Sequence, residues 1–162
     1  MQKLNMQWSE ICEDAHLHDL PYKIELNEWG NIVMSPASNR HGRYQALMIR
    51  LISHKKADGD IIAECSVKTR KGTKVADVAW LSDAFVEKHG YKTPYDECPE
   101  LVIEIKSPSN SDMELEEKAD LYFARGASEV WICDEEGHIK MYSKGLKKDQ
   151  SNLIPGFKKQ IG

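Results

Sequence analysis

With 162 residues, 41% of them hydrophobic and 30% charged, the chain has the size and balance of one globular domain that can bury a core without covalent staples. A net charge of −4 excludes a protein that coats nucleic acid non-specifically, but not an enzyme whose carboxylate-rich site itself lowers the charge. No apolar run approaches the roughly 20 residues that cross a bilayer, not even ELVIEI at 100–105, and no charged segment leads into an apolar one at the N-terminus, so a cytoplasmic protein is expected.

In chain order, a first helix is expected at about 7–18, with Trp8, Ile11, Cys12 and Ala15 on one stripe. YKIEL and NIVMS then form a hairpin turned within NEWGN and closed by Pro36. Ser38 or Asn39 can cap the next helix, whose Tyr44, Leu47, Met48, Leu51 and Ile52 recur at helical spacing until Asp58-Gly59. Three strand-like runs follow at 61–69, 74–81 and 100–107, the first two joined as a hairpin at Lys71-Gly72, with a short helix near 82–88. Ser111 and Glu114 form a capping box for a further helix, which ends at Arg125-Gly126. Two closing strands, EVWICD and HIKMYS, turn at Glu136-Gly137. The expected fold is α/β (α+β): a mixed central sheet flanked by helices, preceded by a helix and a β-hairpin. Residues 1–162 read as a single domain, with a helix in 1–19, a core over 20–143 and a loose basic tail over 144–162.

Strand alternation supplies the chemistry. Residues two apart share a face, so Glu104 and Lys106 lie with Val102, Asp77 with Val75 and Ala79, and Glu64 with Ile62 and Ser66. Asp77 and Glu104 are isolated acids in otherwise apolar strands, and a buried carboxylate needs a partner, a cation or a proton. On neighbouring strands their hard oxygens suit Mg²⁺ or Mn²⁺ better than zinc, with Lys106 placing an ammonium beside the same ion. Phosphodiester hydrolysis asks for such a set: a metal to polarise phosphate and activate water, and a cation to stabilise developing charge. Zinc finds no support elsewhere, because Cys12, Cys65, Cys98 and Cys133 form no close pair.

The pattern resembles the PD-(D/E)XK nuclease superfamily, with Ala76-Asp77 as the first half and Glu104-Ile105-Lys106 as the second. More closely it is similar to the bacterial Uma family of restriction-endonuclease-like proteins, through MSPASNRH (34–41), VADVAW (75–80), PELVIEIKSPS (99–109), EKADLYFARGASEVWICD (117–134) and GHIKMY (137–142). The resemblance implies a restriction-endonuclease-like fold and a divalent metal held by Asp77 and Glu104, with the Ile105 carbonyl as a further ligand. Here alanine stands before Asp77 where the superfamily has proline, and residues 40–56 lack the helix acid many members carry. Glu64 or Glu25 is the candidate for that role.

Among secondary candidates, His41 at a helix start could meet a phosphate, or serve as a capping or surface histidine. Lys118 and Tyr122 share a helix face and could line the cleft; equally, Lys118 could pair with Glu114 and Tyr122 pack in the core. Trp131 reads as core. Lys68, Arg70, Lys71 and Lys74 crowd one turn and are candidate nucleic-acid contacts. The expected function is a Mg²⁺- or Mn²⁺-dependent endonuclease acting on DNA as a homodimer, because cutting both strands of a duplex takes two sites related by a twofold. The alternatives are a catalytically inactive nuclease-fold module that binds nucleic acid or protein, and a structural ion-pair network.

Overall fold

The computed structural model describes residues 6–162, so residues 1–5, part of the segment read as leaderless, lie outside it. Helix α1 (Trp8–Glu13) buries Ile11, and a 3₁₀ turn at Ala15–Leu17 follows where the sequence suggested one continuous helix. Asp14 explains the break, because its side chain accepts from the His16 N–H and starts a new turn. Strands β1 (Tyr22–Leu26) and β2 (Ile32–Pro36) pair antiparallel as a sheet of their own. Helix α2 (Asn39–Lys55) is capped by Ser38, which accepts from the His41 N–H, and it buries Tyr44, Met48 and Ile52.

The main sheet has six strands in sequence order: β3 (Asp60–Thr69), β4 (Gly72–Leu81), β5 (Leu101–Ile105), β6 (Glu129–Cys133), β7 (Ile139–Ser143) and β8 (Leu146–Lys148). Every pair is antiparallel except β5 and β6, whose connection runs through helix α4 (Asp112–Ala124). A short helix α3 (Asp83–His89), capped by Ser82, joins β4 to the loop before β5. Helix α4 carries the capping box read from the sequence: Ser111 Oγ accepts from the Glu114 N–H, and the Glu114 carboxylate accepts from the Ser111 N–H.

Two apolar layers sandwich the sheet. On one face Met48 and Ile52 of α2 pack with Val78, Trp80, Leu101, Ile103, Ile105 and Trp131. On the other, Ala119 and Tyr122 of α4 pack with Cys65, Val67, Ala76, Ala79, Val102 and Val130. Alternation slips in β4 between these sets. Val78 and Trp80 face α2, and Ala79 and Leu81 face α4, yet Ala76 also faces α4. Opposite the slip, Glu64 takes a left-handed φ of 56°, and the β3–β4 pairing passes from Ala63–Val78 to Cys65–Ala76 without a Glu64 pair. Asp77 sits at this irregularity.

The hairpin β1–β2 is seated on the β3–β4 turn. Gly72 has φ of 88°, and a Cβ there would fall 2.3 Å from the Leu26 and Asn27 carbonyl oxygens, so only glycine lets the backbones approach this closely. The Lys74 ammonium reaches toward the Leu26 carbonyl at 3.4 Å, and the Glu25 carboxylate accepts from the Val75 N–H at 2.7 Å.

Residues after 143 correct the reading of a loose tail. They add β8, and Ile154, Phe157 and Ile161 are buried in the α2-side core. Glu129 anchors the segment. Its buried carboxylate accepts from Trp131 Nε1, Ser151 Oγ and the N–H groups of Asn152 and Leu153. Four donors replace the water that a carboxylate gives up on burial. Glu129→Ala is expected to lower the unfolding free energy by about 3 kcal/mol in urea titrations, because those donors lose their common acceptor.

Candidate active site

The ladder between β4 and β5 runs only from Trp80–Leu101 to Val78–Ile103. Beyond it the strands part, and the Ile105 amide would be left unpaired in a buried place. The Asp77 side chain takes over: Oδ2 accepts from the Ile105 N–H at 2.7 Å. The fork thus has Asp77 on one prong and Glu104 on the other, both almost fully buried.

Both carboxylates face a cleft of about 320 Å³ whose lining includes β1, β2, the start of α2 and the loop after β5. Lys23 of β1 enters it and holds Asp77 Oδ1 at 2.9 Å and Glu104 Oε2 at 3.4 Å. His41 Nε2 lies 3.2 Å from the same Asp77 oxygen. Glu104 Oε1 accepts from the Tyr122 hydroxyl at 2.7 Å and stands 3.4 Å from the Lys118 ammonium. Lys118 is held in turn by Glu25 at 2.9 Å. Gln45 of α2 donates to Glu64 at 2.7 Å and to the Asp77 carbonyl at 2.8 Å.

Two ammoniums therefore face three buried carboxylates, and the acids respond unequally. Burial opposes ionisation of Asp77, yet Lys23, His41 and the Ile105 N–H together hold its carboxyl well below the usual range. Glu25 also falls, because Lys118, Lys23 and the Val75 N–H outweigh its burial. For Glu104 burial prevails over Lys118 and Lys23, and its pKa rises. The Tyr122 hydroxyl is pushed far up, by burial first and by the Glu104 charge second, and so stays a donor. Lys23 gains basicity: burial alone would lower it, but Glu104, Asp77 and Glu25 reverse that. Divergent acids in one cleft are an arrangement that proton chemistry uses.

The structure thus gathers Asp77, Glu104, Glu25, His41, Lys118 and Tyr122 around one cleft, and Ile105 and Glu64 also line it. Lys106 is placed differently. It follows the last residue of β5, its N–H donates to the Cys133 carbonyl, and its ammonium reaches Asp112 at 2.9 Å in the first turn of α4. Face-sharing with Glu104 holds only while the strand continues, and Asp112 is the carboxylate nearest the lysine's free end. Lys118 pairs with Glu25 and Glu104 rather than with Glu114. Of the basic turn, Lys74 is half-buried, Lys71 pairs with Glu117, and Lys71 and Lys74 line a second cavity of about 370 Å³. That cavity shares Glu25, Ser35, Pro36, Asn110 and Lys118 with the first, so the two adjoin. Lys68 and Arg70 border a separate depression beside Lys92.

Sequence reading missed Lys23. Its signal was available, since Lys23 and Glu25 alternate onto one face of β1, but a charged strand face usually means solvent. Among the described residues no three His, Cys, Asp or Glu side chains gather as a ready-made metal cage. The cleft nonetheless suits a cation, because Asp77 Oδ1 and Glu104 Oε2 converge on one positive centre, the Lys23 ammonium. A pair of hard oxygens is the donor chemistry of Mg²⁺ and Mn²⁺.

Comparisons with known proteins bear on the family and the fold. A model of the Uma2 family, described as "Putative restriction endonuclease", matches residues 14–156. Among solved structures, a chain from Anabaena variabilis described as a "putative nuclease belonging to DUF820" is similar, with a TM-score of 0.68 at 17% identity, covering 88% of this chain and 83% of that one. No curated protein matches. No helix among the described residues is long and apolar enough to cross a membrane.

Two measurements probe the cleft. The hydrogen bond from Asp77 raises the His41 pKa against desolvation, so NMR titration should place it above the ordinary value of about 6.5, and Asp77→Asn should bring it down. With a raised folded pKa, the stability this pair contributes is fully present below the ordinary histidine value and is lost as pH climbs through the folded one. Glu104 follows the same sign over its own range: with its pKa raised by burial, stability is lost as pH climbs from the ordinary glutamate value through the folded one. Glu104→Gln should accordingly melt no lower than the parent at neutral pH in metal-free buffer.

Proposed function

The chain belongs to the Uma2 family, and on that footing we propose that it is a divalent-metal-dependent endonuclease hydrolysing DNA phosphodiester bonds with water as nucleophile. The observation that carries this reading is the convergence of Asp77 Oδ1 and Glu104 Oε2 on one cationic position at the parting of β4 and β5. Asp77 and Glu104 are the proposed holders of Mg²⁺ or Mn²⁺, with the Ile105 carbonyl as a further ligand and Glu64 or Glu25 as the additional acid. When bound, such an ion supplies polarisation of the phosphoryl oxygen and a water of lowered pKa.

The remaining steps fall to the chain itself. The Ile105 N–H keeps Asp77 oriented, and the Tyr122 hydroxyl and Lys118 ammonium keep Glu104 oriented. His41 lines the cleft at the start of α2, where a protonated imidazole favours a phosphate. Past Lys118 the adjoining cavity offers Lys71 and Lys74 as contacts for a strand, interspersed with Glu25, Glu114 and Glu117. We assign Lys106 a place outside the first contacts with the carboxylates, because its ammonium is engaged by Asp112. Duplex cutting is proposed for a homodimer, two such clefts being needed for two strands.

A second reading has its own support. Lys23 and Lys118 already compensate the buried acids, as they would in a catalytically inactive module that binds nucleic acid or protein. Supercoiled plasmid incubated with the purified protein and Mn²⁺ separates the two. The nuclease should nick it, and Asp77→Asn should slow nicking by at least about 100-fold. Persistent nicking by Asp77→Asn would remove the assignment, and plasmid retention without nicking would favour the binding module.

A further inference from the structure

The four oxygens of Asp77 and Glu104 are not equally free. Asp77 Oδ2 is committed to the Ile105 N–H at 2.7 Å, and Glu104 Oε1 to the Tyr122 hydroxyl at 2.7 Å. The pair left for a bridging cation is Asp77 Oδ1, which His41 Nε2 also meets at 3.2 Å, and Glu104 Oε2. Those are the two atoms that the Lys23 ammonium touches, at 2.9 and 3.4 Å. Among the described residues no other lysine stands between them: Lys118 lies against Glu25 and the opposite oxygen of Glu104, and Lys106 lies against Asp112. Lys23 is also set apart by its element. It comes from the separate two-stranded sheet rather than from the strands that carry the acids, and its side chain keeps 16% exposure toward the cleft.

We infer that Lys23 is a tethered competitor for the divalent cation, so that a metal enters by displacing the ammonium from Asp77 Oδ1 and Glu104 Oε2. This rests on the metal-site reading above and adds to it the residue that sets metal affinity. The exchange replaces one charge by two between the same oxygens, and four rotatable carbons let the ammonium withdraw along the cleft without moving β1. Once withdrawn, it remains in the cleft wall as a free positive group near the carboxylates. The position of a lysine in this site is then filled from the hairpin and not from the strand that bears Glu104.

Calorimetric titration of the full chain with MnCl₂ tests this. Lys23→Met, which keeps the aliphatic stem, should bind Mn²⁺ at least about tenfold more tightly than the parent, because competition is gone. Lys23→Arg keeps the charge and should bind no more tightly than the parent, and Lys106→Met should match the parent. Equal affinity in the parent and Lys23→Met, or tightening in Lys106→Met instead, overturns the inference while leaving the metal site standing. No Mn²⁺ uptake by any of the proteins removes the metal reading and the inference together. Should Lys23→Met fold too weakly for calorimetry, its thermal midpoint with and without Mn²⁺ gives the same answer. The metal-induced rise should exceed that of the parent, and an equal or smaller rise counts against competition.

Discussion

A sheet keeps its backbone satisfied by keeping its strands together, and β4 and β5 do so for only three residue pairs. Past Val78 and Ile103 they separate, which would strand the Ile105 amide in an apolar interior. An aspartate on the departing strand answers that amide with one carboxylate oxygen and presents the other to the opening. The cleft, the burial of Asp77 and the exposure of Glu104 to the same space all follow from this one substitution of a side chain for a ladder bond. The left-handed Glu64 and the slipped alternation in β4 are its counterparts on the next strand.

Opening a sheet in this way places acids where water is scarce, and the surrounding charges follow from that. Glu25, Asp77 and Glu104 are all buried, and no single ammonium could compensate them. Lys118 serves Glu25 and Glu104, while Lys23 serves Asp77 and Glu104, so Glu104 is shared and Asp77 gains His41 as well. Burial outweighs Lys118 and Lys23 at Glu104, whereas Lys23, His41 and the Ile105 N–H outweigh it at Asp77, so the two acids at the fork move in opposite directions from their ordinary pKa values. One is a stable anion and the other a reluctant one, an asymmetry produced by neighbours rather than by residue type.

Much of this was legible in the sequence, for identifiable reasons. Asp77 and Glu104 stood out because a charge in an apolar strand has few explanations, and the helix caps at Ser38 and Ser111 are local chemistry that tertiary context left alone. Period-two alternation located Glu104 correctly with Val102 on the α4 face. It misled at Lys106, because alternation says nothing once a strand has ended. It also could not distinguish the Lys23 face of β1 from a solvated one, since that depends on what the hairpin lies upon. The C-terminal segment looked like a tail because Lys144, Lys147, Lys148, Lys158 and Lys159 are spread through it. Ile154, Phe157 and Ile161 fall at i, i+3, i+7, but Pro155-Gly156 interrupts that spacing and no helix forms; what anchors the segment is Glu129, distant in sequence.

Among the described residues, the hairpin that supplies Lys23 and Glu25 has two strands and no third to pair with. Such a sheet is marginal by itself and depends on what lies beneath it, here the turn at Gly72 and the amide of Val75. The two walls of the cleft therefore differ in cohesion: the acids belong to a six-stranded sheet packed on both faces, and the cation opposite them belongs to the least self-supporting element. Any fluctuation that lifts the hairpin widens the groove for a strand and withdraws positive charge from the fork at the same moment. A small ion needs only the Lys23 side chain to swing aside, whereas a bulky polyanion gains room from movement of the hairpin itself.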